Sequence, residues 1–227
     1  MIFWNLSRLP PVAREEDLRA ESERNAFRSF RSLRRRREWV AGRVAARRLI
    51  ASVLEEPPDE VEIVPSPAGP PRARRHGSDL PLTLSLAHGG EWLLCAVRPG
   101  VANAPLGVDL EPLVPRRRQA LWRALNGQEI ERFAAADPDR LPLADLLQVW
   151  TIKEAVLKAA GRGLRLSPRR VTVSDCSAKG SFAPSSVLFT GRAVQVWTRR
   201  TERLAMAIGW LGEEPEEISS EPTRIDY

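Results

Sequence analysis

Trp39, Ala46, Leu49, Ile50 and Val53 recur near the 3.6-residue period of an α-helix, with Arg43 and Arg47 one turn apart on another face. Residues 14–54 are therefore predicted to be helical, and Pro57-Pro58 ends the run. Seven of the nineteen prolines fall between Pro57 and Pro81, with a basic run from Arg72 to His76, which predicts loop around one short strand, Val61–Val64. Leu82–Leu86 and Trp92–Val97, separated by Gly89-Gly90, predict a strand pair. In the second half a strand is predicted at Leu106–Leu110, then a helical region with a loop at Asp137-Pro138. A strong helix follows from Leu143 to Ala160, where Leu143, Leu146, Leu147 and Trp150 stand at i, i+3, i+4 and i+7 and Gly161 and Gly163 supply the stop. Strands close the pattern at 170–174, 187–189, 193–198 and 204–210.

The halves echo one another. Glu91–Val97 closes the first and Glu202–Ile208 the second, 111 residues apart, each after a long helix and shorter strands. The expectation is an α+β protein of two similar halves, each a small antiparallel sheet packed on a long helix. Residues 1–104 form the first, 105–212 the second, and 213–227 an acidic, disordered tail.

At 227 residues the chain suffices for one large domain or two small ones. No run of about 18 apolar residues could span a membrane, and Met1–Pro10 has neither a charged leader nor a cleavable apolar run, so a cytoplasmic protein is expected. Two cysteines, Cys95 and Cys176, and two histidines, His76 and His88, exclude a disulfide framework, a zinc cluster and a multi-histidine metal site. The net charge of +6 hides a gradient: the last fifteen residues carry −5, leaving +11 on the body. Such a body expects an anionic partner: a phosphate-rich ligand, nucleic acid or an acidic protein.

Within Gly107-Val-Asp-Leu-Glu111, strand alternation puts Asp109 and Glu111 on one face, about 7 Å apart, and Leu106, Val108 and Leu110 on the other. Two such carboxylates suit a hard divalent cation that also binds phosphate, though a solvated polar face would look the same. In Trp150-Thr-Ile-Lys-Glu-Ala-Val-Leu-Lys158, Glu154 and Lys158 stand at i and i+4, the spacing of an ordinary ion pair. Lysine supplies only three of the thirty-five basic residues, Lys153, Lys158 and Lys179, yet two of the three fall in this one helix. That placement favours a compact point charge directed at phosphate.

Gly107–Glu111, followed some forty residues later by Trp150–Leu164, resembles the two signatures of the 4′-phosphopantetheinyl transferases, the enzymes that activate acyl and peptidyl carrier proteins. The length is similar to the surfactin-type branch, in which two similar halves related by a pseudo-twofold form a pseudodimer in one chain. The resemblance covers roughly residues 24 to 211. It implies a monomer that uses Mg²⁺ to move 4′-phosphopantetheine from coenzyme A to a serine of an apo carrier, releasing adenosine 3′,5′-bisphosphate, at a site between the halves. It further implies that Asp109, Glu111 and Glu154 hold Mg²⁺, that Lys158 meets the pyrophosphate with Lys153 as a helper, and that Glu154 or a metal-bound water takes the serine proton. Ser85-Leu-Ala-His88 is similar to the family's Ser-His motif, so the Ala87 backbone and His88 would hold coenzyme A phosphates, Ala87 replacing a usual hydroxyl residue. Arg35 and Arg43 match arginines that embrace the adenosine 3′-phosphate. Gly69-Pro70-Pro71 matches the family's Gly-x-Pro loop, with proline where a basic residue is often found.

The main rival is a nucleic-acid-binding or metal nuclease protein, which the basic body and Asp plus Glu-x-x-x-Lys would also fit. Against it, no recognition motif occurs and Glu154 and Lys158 share a helix. A noncatalytic carrier-binding module is a third class, told apart by whether Mg²⁺ is needed.

Overall fold

The computed structural model describes residues 1–66, 69–102, 104–133, 142–176 and 180–225; the loop expected at Asp137-Pro138, and Lys179, lie outside them. The chain divides into two compact units, Met1–Ala104 with Glu216–Tyr227, and Pro105–Pro215. No described helix is long and apolar enough to cross a membrane.

The first unit runs β1 (Phe3–Arg8), α1 (Glu21–Ser29), α2 (Leu33–Leu54), β2 (Val61–Val64), β3 (Arg72–Arg75), β4 (Ser78–Asp79), β5 (Leu82–Gly89) and β6 (Trp92–Pro99). Its strands make two antiparallel sheets, β1-β6-β5 and β2-β3-β4. Ala46, Leu49 and Ile50 of α2 pack with Val61, Ile63, Leu82, Leu84, Cys95 and Val97 into its core.

Three expectations are corrected here. The single helix over 14–54 is broken at 30–32, where the Ser32 hydroxyl accepts from the Arg35 amide and caps α2 as a new helix. The basic run at 72–75 is a strand, because Ala73 enters the core while Arg74 pairs with Asp79 at 2.6 Å and Arg75 with Glu60 at 2.9 Å. The tail expected to be disordered is ordered to Ile225. Its backbone bonds Ile2, just before β1, and the open edge of β1 itself: Ile2 N donates to Glu217 O (2.7 Å), Ser219 N to Ile2 O (2.9 Å) and Thr223 N to Trp4 O (2.8 Å), and Arg98 donates to Glu216 at 2.7 Å. An edge strand offers unpaired amides and carbonyls that outweigh the tail's low hydrophobicity.

The second unit runs β7 (Leu106–Pro112), α3 (Arg118–Arg123), α4 (Gly127–Phe133), α5 (Leu143–Ala159), β8 (Val171–Asp175), β9 (Ala183–Phe189), β10 (Arg192–Arg200) and β11 (Leu204–Trp210). One antiparallel sheet, β7-β11-β10-β9-β8, carries α5 across β7 and β11. Helix α5 stops where Gly161 turns left-handed at φ +67° and the Arg162 amide reaches back to Leu157 O at 3.2 Å. In each unit the first strand pairs with the last, and the last with the one before it.

Among the described residues each unit also holds a buried ion pair of the same plan. In the first, Glu23 near the start of α1 accepts from the Ile63 amide of β2 at 3.1 Å, and Arg47 of α2 lies 3.6 Å from Glu23 while donating to Val61 O at 2.9 Å. In the second, Glu129 of α4 accepts from the Val173 amide of β8 at 2.8 Å, and Lys153 of α5 reaches Glu129 at 2.7 Å and Val171 O at 2.6 Å. A buried carboxylate and cation thus tie two helices to one strand in both units.

Candidate functional site

The chemistry expected of the second half gathers where α5 crosses β7. Gly107, Asp109 and Glu111 share the face of β7 that α5 covers, since a Cβ on Gly107 would stand 2.1 Å from the Ala155 carbonyl oxygen. Only a glycine lets the helix backbone come this close. The expected polar face therefore does not open to water. Asp109 is 7% exposed. The closeness brings Lys158 Nζ to Asp109 Oδ1 at 2.6 Å and to Val108 O at 3.2 Å, and the Trp150 indole N–H to Glu111 Oε1 at 3.2 Å. Glu111 Oε2 accepts from Arg116 at 2.7 Å.

Burial pushes the Asp109 carboxyl up to about 7; Lys158 opposes that shift, and the charges of Glu111 and Glu154 add to it. Glu154 is raised for the same first reason, with Lys158 lowering and Glu111 raising it. Three carboxylates thus feel one another. Asp109 Oδ2 and Glu154 Oε1 are buried with no hydrogen-bond partner. Among the described residues, no three Asp, Glu, His or Cys side chains form a ready three-ligand cluster for a metal ion. Two unpartnered carboxylate oxygens nevertheless fit a hard cation that takes few protein ligands and completes its shell with phosphate and water.

Lys153 is a correction. Its side chain is fully buried and its ammonium is committed to Glu129, Val171 O and Pro168 O, the last at 3.1 Å. One residue before Glu154 it is turned about 100° around α5, away from β7, so it cannot serve as a helper at pyrophosphate.

The residues expected at the adenosine end lie in the first unit. Arg35, half exposed, approaches His88 Nε2 at 3.3 Å, and His88 Nδ1 lies 3.5 Å from Glu38. Buried Glu38 also accepts from Arg34 at 2.8 Å and lies 3.7 Å from Arg35. Arg43, 7% exposed, stacks its guanidinium 3.2 Å from the centre of the Trp39 ring and keeps a buried Nε without a hydrogen-bond partner. Burial lowers its pKa to about 10; Glu23 raises it and Arg35 lowers it further. Such an under-compensated cation fits an anionic ligand group. Ala87, 4% exposed, sits on β5 beside His88.

Sequence reasoning passed over Glu38, Glu129 and Arg116. Glu38 had a signal in its i+3 and i+4 spacing from Arg35 and Arg34. Glu129 had none, because Lys153 is 24 residues away.

A family model described as the 4′-phosphopantetheinyl transferase superfamily matches residues 105–208. The chain is 27% identical over 142 residues to the 4′-phosphopantetheinyl transferase psf-1 of Bacillus pumilus, covering 63% of this chain and 58% of that protein. It is 28% identical over 167 residues to the 4′-phosphopantetheinyl transferase HetI of Nostoc sp., covering 71% and 69%. It is 29% identical over 89 residues to the 4′-phosphopantetheinyl transferase Sfp of Bacillus subtilis, covering 39% and 38%. The match thus spans less than two thirds of the length of the two Bacillus relatives.

Proposed function

We propose that the chain belongs to the 4′-phosphopantetheinyl transferase superfamily and transfers 4′-phosphopantetheine from coenzyme A to a serine of an apo acyl or peptidyl carrier protein. The observation that carries this reading is the cluster on β7 and α5: Asp109 against Lys158, with Glu154 beside them and two buried carboxylate oxygens unpartnered. In the proposed reaction the serine Oγ forms a bond to the pantetheine-bearing phosphorus of the pyrophosphate. The bond from that phosphorus to the bridging oxygen breaks, and adenosine 3′,5′-bisphosphate leaves.

Asp109 and Glu154, with Glu111, would hold Mg²⁺, which supplies Lewis-acid polarisation of the phosphoryl oxygens and charge for the leaving group. Lys158 would move its point charge from Asp109 toward the pyrophosphate. Glu154 or a metal-bound water would take the serine proton. In the first unit Arg43, Arg35, His88 and the Ala87 backbone would take the phosphates at the adenosine end of coenzyme A, Arg43 gaining a counter-charge for its buried guanidinium. The basic body would draw an acidic carrier surface. A pseudodimer of two like halves is supported by the matched strand order and the matched buried ion pairs.

The test is mass spectrometry of apo carriers incubated with coenzyme A and Mg²⁺, with single-turnover rates for two variants. Lys158→Arg should lower kcat by an amount on the order of 10²-fold, and Glu154→Gln by more, because both misplace or remove groups at the reacting phosphorus. Rates within twofold of wild type for both would sink the mechanism.

A further inference from the structure

The three carboxylates of the β7–α5 cluster are not equivalent. Asp109 and Glu154 each keep a buried oxygen with no hydrogen-bond partner. Both Glu111 oxygens are taken, Oε2 by Arg116 Nη1 at 2.7 Å and Oε1 by the Trp150 indole N–H at 3.2 Å. Arg116 is itself anchored by a second bond, from Nη2 to Pro112 O at 3.1 Å, so its guanidinium is fixed to the end of β7 beside Glu111. The pair is only partly exposed, at 29% and 20%. Glu111 is close enough for its negative charge to be felt at both Asp109 and Glu154. A divalent ion arriving at the two open oxygens therefore meets a third carboxylate whose charge is already matched.

We propose that Arg116 is a positioning residue that holds Glu111 while the cation is absent and competes with the cation for it, so that Arg116 sets the affinity of the site for a divalent ion. This rests on the magnesium reading of the cluster given above. Arg116 relieves the repulsion among three neighbouring carboxylates that Lys158 alone would have to balance. With Glu111 in the ligand set, the Arg116 guanidinium would give up Oε2 and keep its hold on Pro112 O. Competition lowers affinity by the work of breaking that charge-assisted bond.

The test uses the full chain without coenzyme A and measures Mn²⁺ binding from the electron paramagnetic resonance signal of the free ion. Arg116→Gln should tighten Mn²⁺ binding about three- to tenfold, the range of a partly exposed hydrogen bond between charged groups. Arg116→Lys, which restores a positive charge, should return affinity toward wild type. In a Glu111→Gln background, Arg116→Gln should bring no gain over Glu111→Gln alone, since the gain acts through that carboxylate. Thermal melts in parallel check that each variant is folded. Mn²⁺ binding that Asp109→Asn abolishes but Arg116→Gln leaves unchanged or weakens would overturn the role of Arg116 and spare the magnesium reading. Absence of saturable binding in wild type and Arg116→Gln alike, or binding indifferent to Asp109→Asn, would overturn the magnesium reading and this proposal with it.

Discussion

Replacing Gly107 by alanine would place a methyl group 2.1 Å from the Ala155 carbonyl oxygen, 2.4 Å from the Ala159 amide nitrogen and 3.0 Å from the Lys158 carbonyl carbon. All three are backbone atoms of α5, so no side-chain rotation relieves the overlap. Carbon and oxygen or nitrogen approach to little under about 3.3 Å in packed interiors, so α5 and β7 must part by roughly 1 Å. Overpacking of this kind costs about 1–3 kcal/mol and occasionally more; contact with helix backbone, which has no rotamer to yield, puts Gly107→Ala at about 3 kcal/mol. That is a large share of a typical 5–15 kcal/mol, and for a chain of this size lowers Tm by roughly 6–12 °C. The same shift separates Lys158 from Asp109, now 2.6 Å apart, and misplacement by about 1 Å costs on the order of 10²-fold in rate. Gly42→Ala is the control. Its Cβ would meet only Leu86 Cδ1 at 3.5 Å, an ordinary contact, and alanine should stabilise α2 by about 0.5–1 kcal/mol. Thermal unfolding and single-turnover transfer would be measured on both. A Gly107→Ala protein that melts within about 2 °C of wild type and transfers within twofold would refute the claim that this close approach builds the site.

Lys153→Met should cost about 3–5 kcal/mol by stranding the buried Glu129 carboxylate, leaving coenzyme A affinity of the folded fraction unchanged; native stability with a raised KM for coenzyme A would return Lys153 to the ligand. Arg43→Met, which keeps an apolar stem over Trp39, should weaken coenzyme A roughly tenfold more than dephospho-coenzyme A by calorimetry, and equal weakening of both would remove the 3′-phosphate contact. Burial first, then the charges of Asp145 and Asp175, push the Cys176 thiol up to about 11, and burial pushes Cys95 higher still. The thiolate is the reactive form and is gained only as pH rises, so native Cys176 should react with a disulfide reagent at pH 8 about two orders of magnitude more slowly than free cysteine. Fast stoichiometric labelling of the native protein at pH 7 would contradict that burial.

The residues of the candidate site were legible because their spacing is local. Asp109 and Glu111 alternate on one strand, and Glu154 and Lys158 are one turn apart on one helix, relations set by the geometry of a single element. The main elements followed for the same reason: β2 spans Val61–Val64 as predicted, and α5 runs Leu143–Ala159 against a predicted end at Ala160.

Sequence alone could not separate Lys153 from Lys158. The two share a helix, a residue type and an apolar setting, yet five residues rotate one from the other by about 140°, and what lies on each side decides the role. Glu129 and two carbonyls consume the first, while the second reaches Asp109 on β7. The same holds for Arg72–Arg75, whose charges predict loop and whose partners at Glu60 and Asp79, with the burial of Ala73, make a strand. It holds also for the acidic tail, ordered by bonds to β1 across more than two hundred residues. Periodicity and motif spacing determined which residues share a face of an element. Only the tertiary structure decided what that face meets, because burial and charge pairing come from groups far apart in the chain, and a charge costs little or much according to the partner the fold brings to it.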